Sequence, residues 1–111
     1  METIELALKP VYLEAIRMGA KTTEFRKCDE YYVQKLVDMS KYPNMDARDI
    51  MDGLHDGTLE LFPKDIGEIL FHESGSGRQL RVKVRYVRFY RGHHNFCIGL
   101  GEVIKTNNNA S

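Results

Sequence analysis

The sequence predicts an α+β domain, a small mixed β-barrel with short helices packed at its ends. Three observations carry this expectation. Residues 1–27 read as strand, helix, strand; residues 28–63 have helical spacing and an acidic balance; and from Gly67 onward apolar and polar residues alternate in three segments separated by turns. At 111 residues the chain amounts to one domain, with enough apolar residues for a modest core that needs no disulfide or metal staple. That domain is expected over 1–106, followed by a disordered polar tail at 107–111.

Each element has a local reason. Thr3 to Leu8 alternates in the manner of a strand. Pro10 suits the first position of a helix, where its missing N–H is not needed. In the helix that follows, Val11 to Met18, Tyr12, Ala15 and Ile16 are spaced to share one face, and Gly19 supplies the stop. Thr22 to Lys27 then reads as a second strand. In the acidic excursion, Val33, Leu36 and Val37 predict a helix ending before Pro43. Asp46 to Asp56 predicts another, with Ile50, Met51 and Leu54 inward and Gly57 after it. Glu68 to Phe71 opens the β region, Ser74 to Gly77 is a turn, and Gln79 to Arg91 and Asn95 to Lys105 are the last two strands.

The strand from Gln79 carries a change of phase. Leu80, Val82 and Val84 share one face and Arg81, Lys83 and Arg85 the other, but beyond Tyr86 the apolar positions become Val87 and Phe89. A β-bulge near Tyr86 reconciles the halves, and bulges of this kind curl a sheet toward a barrel.

Composition narrows the classes. No apolar run approaches the roughly 18 residues of a membrane span, and Met1 to Glu5 do not read as a signal peptide, so the expected location is the cytoplasm and no membrane partner is expected. Cys28 and Cys97 stand far apart with no metal-ligand spacing, which predicts two reduced thiols and neither metal nor other cofactor. Net charge is zero but unevenly spread: residues 28–65 hold four Lys/Arg against nine Asp/Glu, and residues 66–111 hold seven against three. A local basic face is therefore available without a basic protein. Asp49, Asp52 and Asp56 share a helical face and read as solvated. The adjacent His93 and His94 would point opposite ways on a strand, which excludes joint chelation.

The most informative segment is Leu6 to Lys27. It holds Lys9-Pro10, Tyr12, a short helix ending in Gly, and Gly19-Ala20-Lys21-Thr22-Thr23-Glu24-Phe25-Arg26, which is G-x-K-x-x-E-x-R. Glu24 and Arg26 lie two apart on a strand and so face one way, with Phe25 expected opposite them in the core. A carboxylate beside a guanidinium is held in orientation. Lys9 and Lys21 fall at the strand–helix and helix–strand junctions, which can meet at one end of the barrel. Cations suit phosphate, and Glu24 suits an exocyclic amine. Taken singly, Lys21 is also an ordinary cation beyond a helix C-terminus, and Glu24–Arg26 an ordinary ion pair.

This opening resembles that of ASCH domains, a branch of the PUA-like superfamily, over about 22 residues; Asp65 to Phe71 and the Arg-rich hairpin resemble the family more loosely. The resemblance implies a PUA-like barrel binding nucleic acid, RNA rather than DNA, or a modified nucleoside, at a pocket around Lys9, Tyr12, Lys21, Thr22, Glu24 and Arg26. Some bacterial ASCH proteins are amidohydrolases acting on acetylated cytidine, with G-x-K-T-x-T-x-R and a Lys-activated Thr nucleophile. This chain has Glu24 where that Thr stands, and Thr23 falls on the other face. Were it an enzyme, Lys21 and Glu24 would be its catalytic groups, with Glu24 acting on water.

A second candidate surface is the basic strand. Arg81, Lys83, Arg85, Arg88 and Arg91 interleave with Tyr86, Phe89 and Tyr90, a pattern suited to nucleic-acid backbones and stacked bases, and equally to a strand whose charges prevent aggregation. A protein-docking role for the acidic excursion is a third class, for which no partner is identified.

Overall fold

The computed structural model describes residues 1–107, with backbone only for 105–107. Its elements are β1 (Glu2–Leu8), α1 (Pro10–Arg17), β2 (Thr23–Lys27), α2 (Glu30–Leu36), a 3-10 turn (Met39–Lys41), α3 (Ala47–Asp56), β3 (Ile66–Glu73), β4 (Gln79–Tyr90) and β5 (Asn95–Asn107). The polar tail was expected from Asn107; β5 includes that residue, and 108–111 lie outside the described residues. No helix among the described residues is long and apolar enough to cross a membrane.

The five strands form one mixed sheet in the order β1-β3-β4-β5-β2. Only β1–β3 is parallel; the other pairings are antiparallel. The expected α+β character and mixed sheet are present. The sheet is a curled half-barrel and not a closed barrel, because β1 and β2 are its two edges. The two edge strands follow one another in sequence, joined by α1, but do not pair with each other.

The gap is spanned by helix and side chains. Lys35 Nζ of α2 donates to the Glu5 carbonyl of β1 at 3.1 Å, and Tyr32 of α2 accepts from Arg26 Nη1 of β2 at 2.8 Å. Arg26 Nη2 also reaches the Ala7 carbonyl at 3.0 Å, so one guanidinium on β2 holds β1 and α2 together. Unpaired edge carbonyls of β1 are thereby satisfied without a neighbouring strand.

Helix starts are chemically explicit. Asp29 caps α2 through Tyr32 N at 2.8 Å, and Asp46 with Asp49 forms a reciprocal capping box on α3. Gly57 ends α3 at φ +81, a left-handed value for which glycine is suited. In α1, Lys9 is the N-cap and Pro10 the first helical residue, as expected. The buried stripe of α1 is Leu13 and Ile16, whereas Tyr12 is 46% exposed. The expected inward face of Tyr12, Ala15 and Ile16 is thus rotated toward Leu13, a wholly apolar side chain that is fully buried.

The core lies between the concave face of the sheet and the helices. Phe71, Phe96, Ile69, Leu80 and Ile98 of the sheet meet Leu13, Leu36, Ile50 and Leu54 of the helices, all essentially inaccessible. Each such side chain contributes about 1.5–3 kcal/mol by burial.

The change of phase on β4 has the expected origin. Val84 opposes Leu100 and Tyr86 opposes Gly99, so Arg85 is the extra residue of a bulge. Beyond it, Phe89 turns inward against Phe96, 5.9 Å between ring centroids, which removes Phe89 from the outer aromatic set. The outer face is fixed by register: Tyr86 lies in a row with Gly99 and Thr23, Arg88 with Cys97 and Phe25, and Tyr90 with Asn95 and Lys27.

Candidate functional site

The G-x-K-x-x-E-x-R segment sits at the open end of the β1–β2 gap. Gly19, at φ +80, ends α1 and turns the chain back, with Ala20 and Lys21 N–H groups both donating to the Ala15 carbonyl. Lys21 is thereby set at the entry to β2, facing the end of β1 and the start of α1. Together these elements enclose a cleft of about 410 Å³ lined by Lys9, Tyr12, Lys21, Glu24 and Arg26 with the β1 residues Ala7 and Leu8.

Glu24 is the centre of this arrangement. Only 6% of the residue is exposed, and each carboxylate oxygen meets a cation: Oε1 is 3.2 Å from Lys21 Nζ and Oε2 is 2.6 Å from Arg26 Nη2. A buried carboxylate requires such pairing. Lys21 also lies 5.4 Å from the Tyr12 ring centroid, so the ammonium is held between an aromatic face and a carboxylate. Burial opposes the charge on Arg26, but hydrogen bonds to Tyr32 and Glu24 outweigh it and its pKa is raised.

The division of labour is therefore uneven. Arg26 directs its guanidinium into protein acceptors, braces the gap and orients Glu24. Lys9 is exposed and Lys21 partly so, and these are the cations a ligand would meet. Thr22 is exposed and outside the cleft, its carbonyl accepting from Leu100 N at 2.9 Å. Thr23 faces away from Glu24, on the outer side of the sheet with Phe25.

Phe25 was expected in the core and is 44% exposed. The expectation that Glu24 and Arg26 share a face holds, but that face is the inner one. Hydrophobicity alone assigned Phe25 inward; the ion-pair network lets the carboxylate take the inside, and Phe25 lies outside, 6.0 Å from Tyr90 between ring centroids. Tyr90, one of the aromatics interleaved with the basic strand, is 48% exposed; Phe25 beside it is the exposed aromatic that alternation on β2 had placed in the core.

The basic residues of β4 do not join the cleft, since β5 separates β4 from β2. Arg81 pairs with Glu68 at 2.8 Å and Lys83 with Glu102 at 3.6 Å, cross-strand partners that neutralise the first half of the strand. Arg85 is exposed on the bulge. Tyr86 lies over Gly99, and Arg88 lies over the Tyr86 ring at 3.9 Å. Arg91 donates to the Gly57 carbonyl at 2.7 Å. The first half of the strand is thus a paired surface, and the second half is stacked and cationic.

Other sites offer less chemistry. A wider groove of about 610 Å³ between the segment after α3 and β4 is lined by the apolar Leu54, Leu61, Val87 and Phe89 together with Thr58, Glu60, Arg88 and Arg91, of which Arg91 is engaged by the Gly57 carbonyl. Asp49 is occupied by its capping box and Asp56 by Thr58, 2.9 Å to its N–H. Among the described residues no three His, Cys, Asp or Glu side chains gather as metal ligands would. No family model, curated protein or solved structure matches the chain.

Proposed function

We propose that this chain is an RNA-binding domain of PUA-like, ASCH-type architecture that holds a nucleotide in the cleft at the β1–β2 gap. The observation that carries this reading is the convergence of Lys9, Tyr12, Lys21 and a buried, clamped Glu24 around one opening. Two ammonium groups suit a phosphate, the exposed face of Tyr12 suits a base, and a fixed carboxylate suits the exocyclic amine of cytosine, adenine or guanine. Glu24 is preset by Arg26 before any ligand arrives, which lowers the ordering cost of binding. Localisation in the cytoplasm belongs to the same reading.

Hydrolysis is the second reading, favoured by the 3.2 Å Lys21–Glu24 contact at the cleft. It is weakened by the absence of a hydroxyl nucleophile on the inner face of β2, because Thr23 points outward. An acid–base role for Glu24 would require water to displace one of its two cations.

The test is a titration of labelled single-stranded RNA, and of a nucleoside monophosphate, by wild type, Lys21→Ala and Glu24→Gln at two salt concentrations. Glutamine is chosen because it retains an acceptor for Arg26. Lys21→Ala is expected to weaken both ligands about tenfold and to reduce the salt slope by about one. Glu24→Gln is expected to alter preference among bases more than overall affinity. Unchanged binding of both ligands in both variants, with circular dichroism intact, removes the cleft as the site. Release of product from a nucleoside substrate, lost in Glu24→Gln, replaces binding by hydrolysis.

A further inference from the structure

We infer that the outer face of the β4–β5–β2 end of the sheet is a stacking platform for single-stranded RNA, continuing the strand whose nucleotide occupies the cleft. The inference rests on the RNA reading above, and it concerns different side chains.

The platform is built by small residues in the middle strand. Gly99 and Cys97 of β5 lie between larger residues on both neighbours, so side chains from β4 and β2 fold over β5. Tyr86 covers Gly99 so closely that an added Cβ would come within 2.3 Å of its ring. The Arg88 guanidinium lies over that ring, 3.9 Å from its centroid. Burial under these groups raises the Cys97 thiol pKa, against a hydrogen bond from Tyr86 and the nearby charges of Arg88 and Lys21. Tyr86 is therefore spoken for, while Phe25 and Tyr90 keep 44% and 48% of their surface exposed.

Charge selects the partner. None of the outward residues in the three register rows is acidic, and Lys27 and Arg88 are both exposed cations. Acidic partners occur on the other half of the sheet, where Arg81 and Lys83 are neutralised. Exposed aromatic faces interleaved with cations that have no ion-pair partner among the described residues suit a polyanion whose bases are unstacked, which is single-stranded nucleic acid and not a duplex. The backbone of β2 links platform to cleft. Phe25 projects outward between Glu24 and Arg26, and its residue also borders the cleft. A strand with one nucleotide at Glu24 can lay its neighbours on Phe25 and Tyr90.

The experiment compares a nucleoside monophosphate, a single-stranded oligoribonucleotide, the matching DNA and a duplex RNA, on the full chain. Phe25→Ala and Tyr90→Ala are each expected to weaken the oligoribonucleotide about tenfold, and Tyr90→Ala, at a residue outside the cleft lining, to leave the monophosphate unchanged. Gly99→Ala, which displaces Tyr86 and with it Arg88, is expected to act in the same direction. Lys21→Ala should weaken the monophosphate as well, so failure of the cleft and failure of the platform are distinguishable. Unchanged oligoribonucleotide affinity in correctly folded Phe25→Ala and Tyr90→Ala overturns the platform, as does equal binding of duplex RNA or preference for DNA. Because Phe25→Ala and Tyr90→Ala alter exposed side chains, their thermal midpoints should stay near wild type; if Phe25→Ala unfolds the chain, Phe25→Leu keeps apolar bulk without a stacking face and should show the same loss of the oligoribonucleotide.

Discussion

Glu24 and Glu73 are both nearly inaccessible; Glu24 is compensated by two cations, and Glu73 by one cation and a hydroxyl. Glu73 accepts from Ser76 Oγ at 2.5 Å and pairs with Arg78 at 3.2 Å, and Arg78 reaches on to Glu14 of α1. Glu14 also binds Arg17, so the β3–β4 turn is tied to α1 through alternating charges. Hydrogen bonds from Arg17 and then Arg78 hold the Glu14 carboxyl down at about 2, below its ordinary 4.5. A lowered folded-state pKa means that the stabilisation is complete above about 4.5 and is lost as pH falls toward about 2. Glu14→Gln is accordingly expected to unfold at lower urea concentration than wild type at pH 7. The gap between the two midpoints should be constant from pH 8 to pH 5 and close below that. A gap that persists unchanged at pH 3 would assign the effect to packing. Of these charges, the sequence exposed only the Glu24–Arg26 pairing, by its spacing of two on a strand. Glu73, Arg78 and Glu14 meet through tertiary structure, and their separation along the chain gives no sign of it.

At the scale of elements, legibility followed the strength of local chemistry. α3 was readable because Asp46, three apolar residues at helical spacing and Gly57 agree with one another, and the structure adds the reciprocal bond from Asp46 N to Asp49 at 3.1 Å. Asp46→Ala is expected to cost about 1 kcal/mol, seen as a lower denaturation midpoint. Hydrogen exchange should accelerate at the first turn of α3 ahead of the sheet; uniform acceleration across the chain would show that the cap is not what limits local opening. The β4 bulge was equally legible, since only an extra residue near Tyr86 reconciles Val82 and Val87 as inward positions. β2 was less so. In five residues a strand gives the alternation little to average over, and the most apolar side chain, Phe25, lies outside. His55 marks another limit. Its Nε2 donates to the Cys28 carbonyl at 2.8 Å and its Nδ1 is 3.2 Å from His94 Nδ1, an assignment that requires His94 to donate in the neutral pair. That link ties α3 to the end of β2 and to the β4–β5 turn, and nothing in residues 55 and 94 alone predicts it.

For the whole molecule the decisive feature is that the half-barrel stays open between β1 and β2 and is braced by Arg26. Its guanidinium donates to Ala7, Glu24 and Tyr32, one acceptor each from β1, β2 and α2. This brace, with the Lys35 bond to the Glu5 carbonyl, sets the walls of the cleft at the gap. Arg26→Gln is expected to cost about 3 kcal/mol, because it leaves a buried carboxylate with Lys21 as its remaining cation. Hydrogen exchange should show lost protection in β1, β2 and α2, with the β3–β4–β5 strands retaining theirs, since those pair through continuous ladders. The double variant Arg26→Met with Glu24→Gln removes both charges together and is expected to recover part of the stability without recovering nucleotide binding. Recovery of both would mean that the carboxylate serves only the fold. Wild-type stability and exchange in Arg26→Gln, with RNA binding lost, would reverse the assignment: Arg26 would be a ligand group, and the gap would be held by Lys35 and the packing of α2.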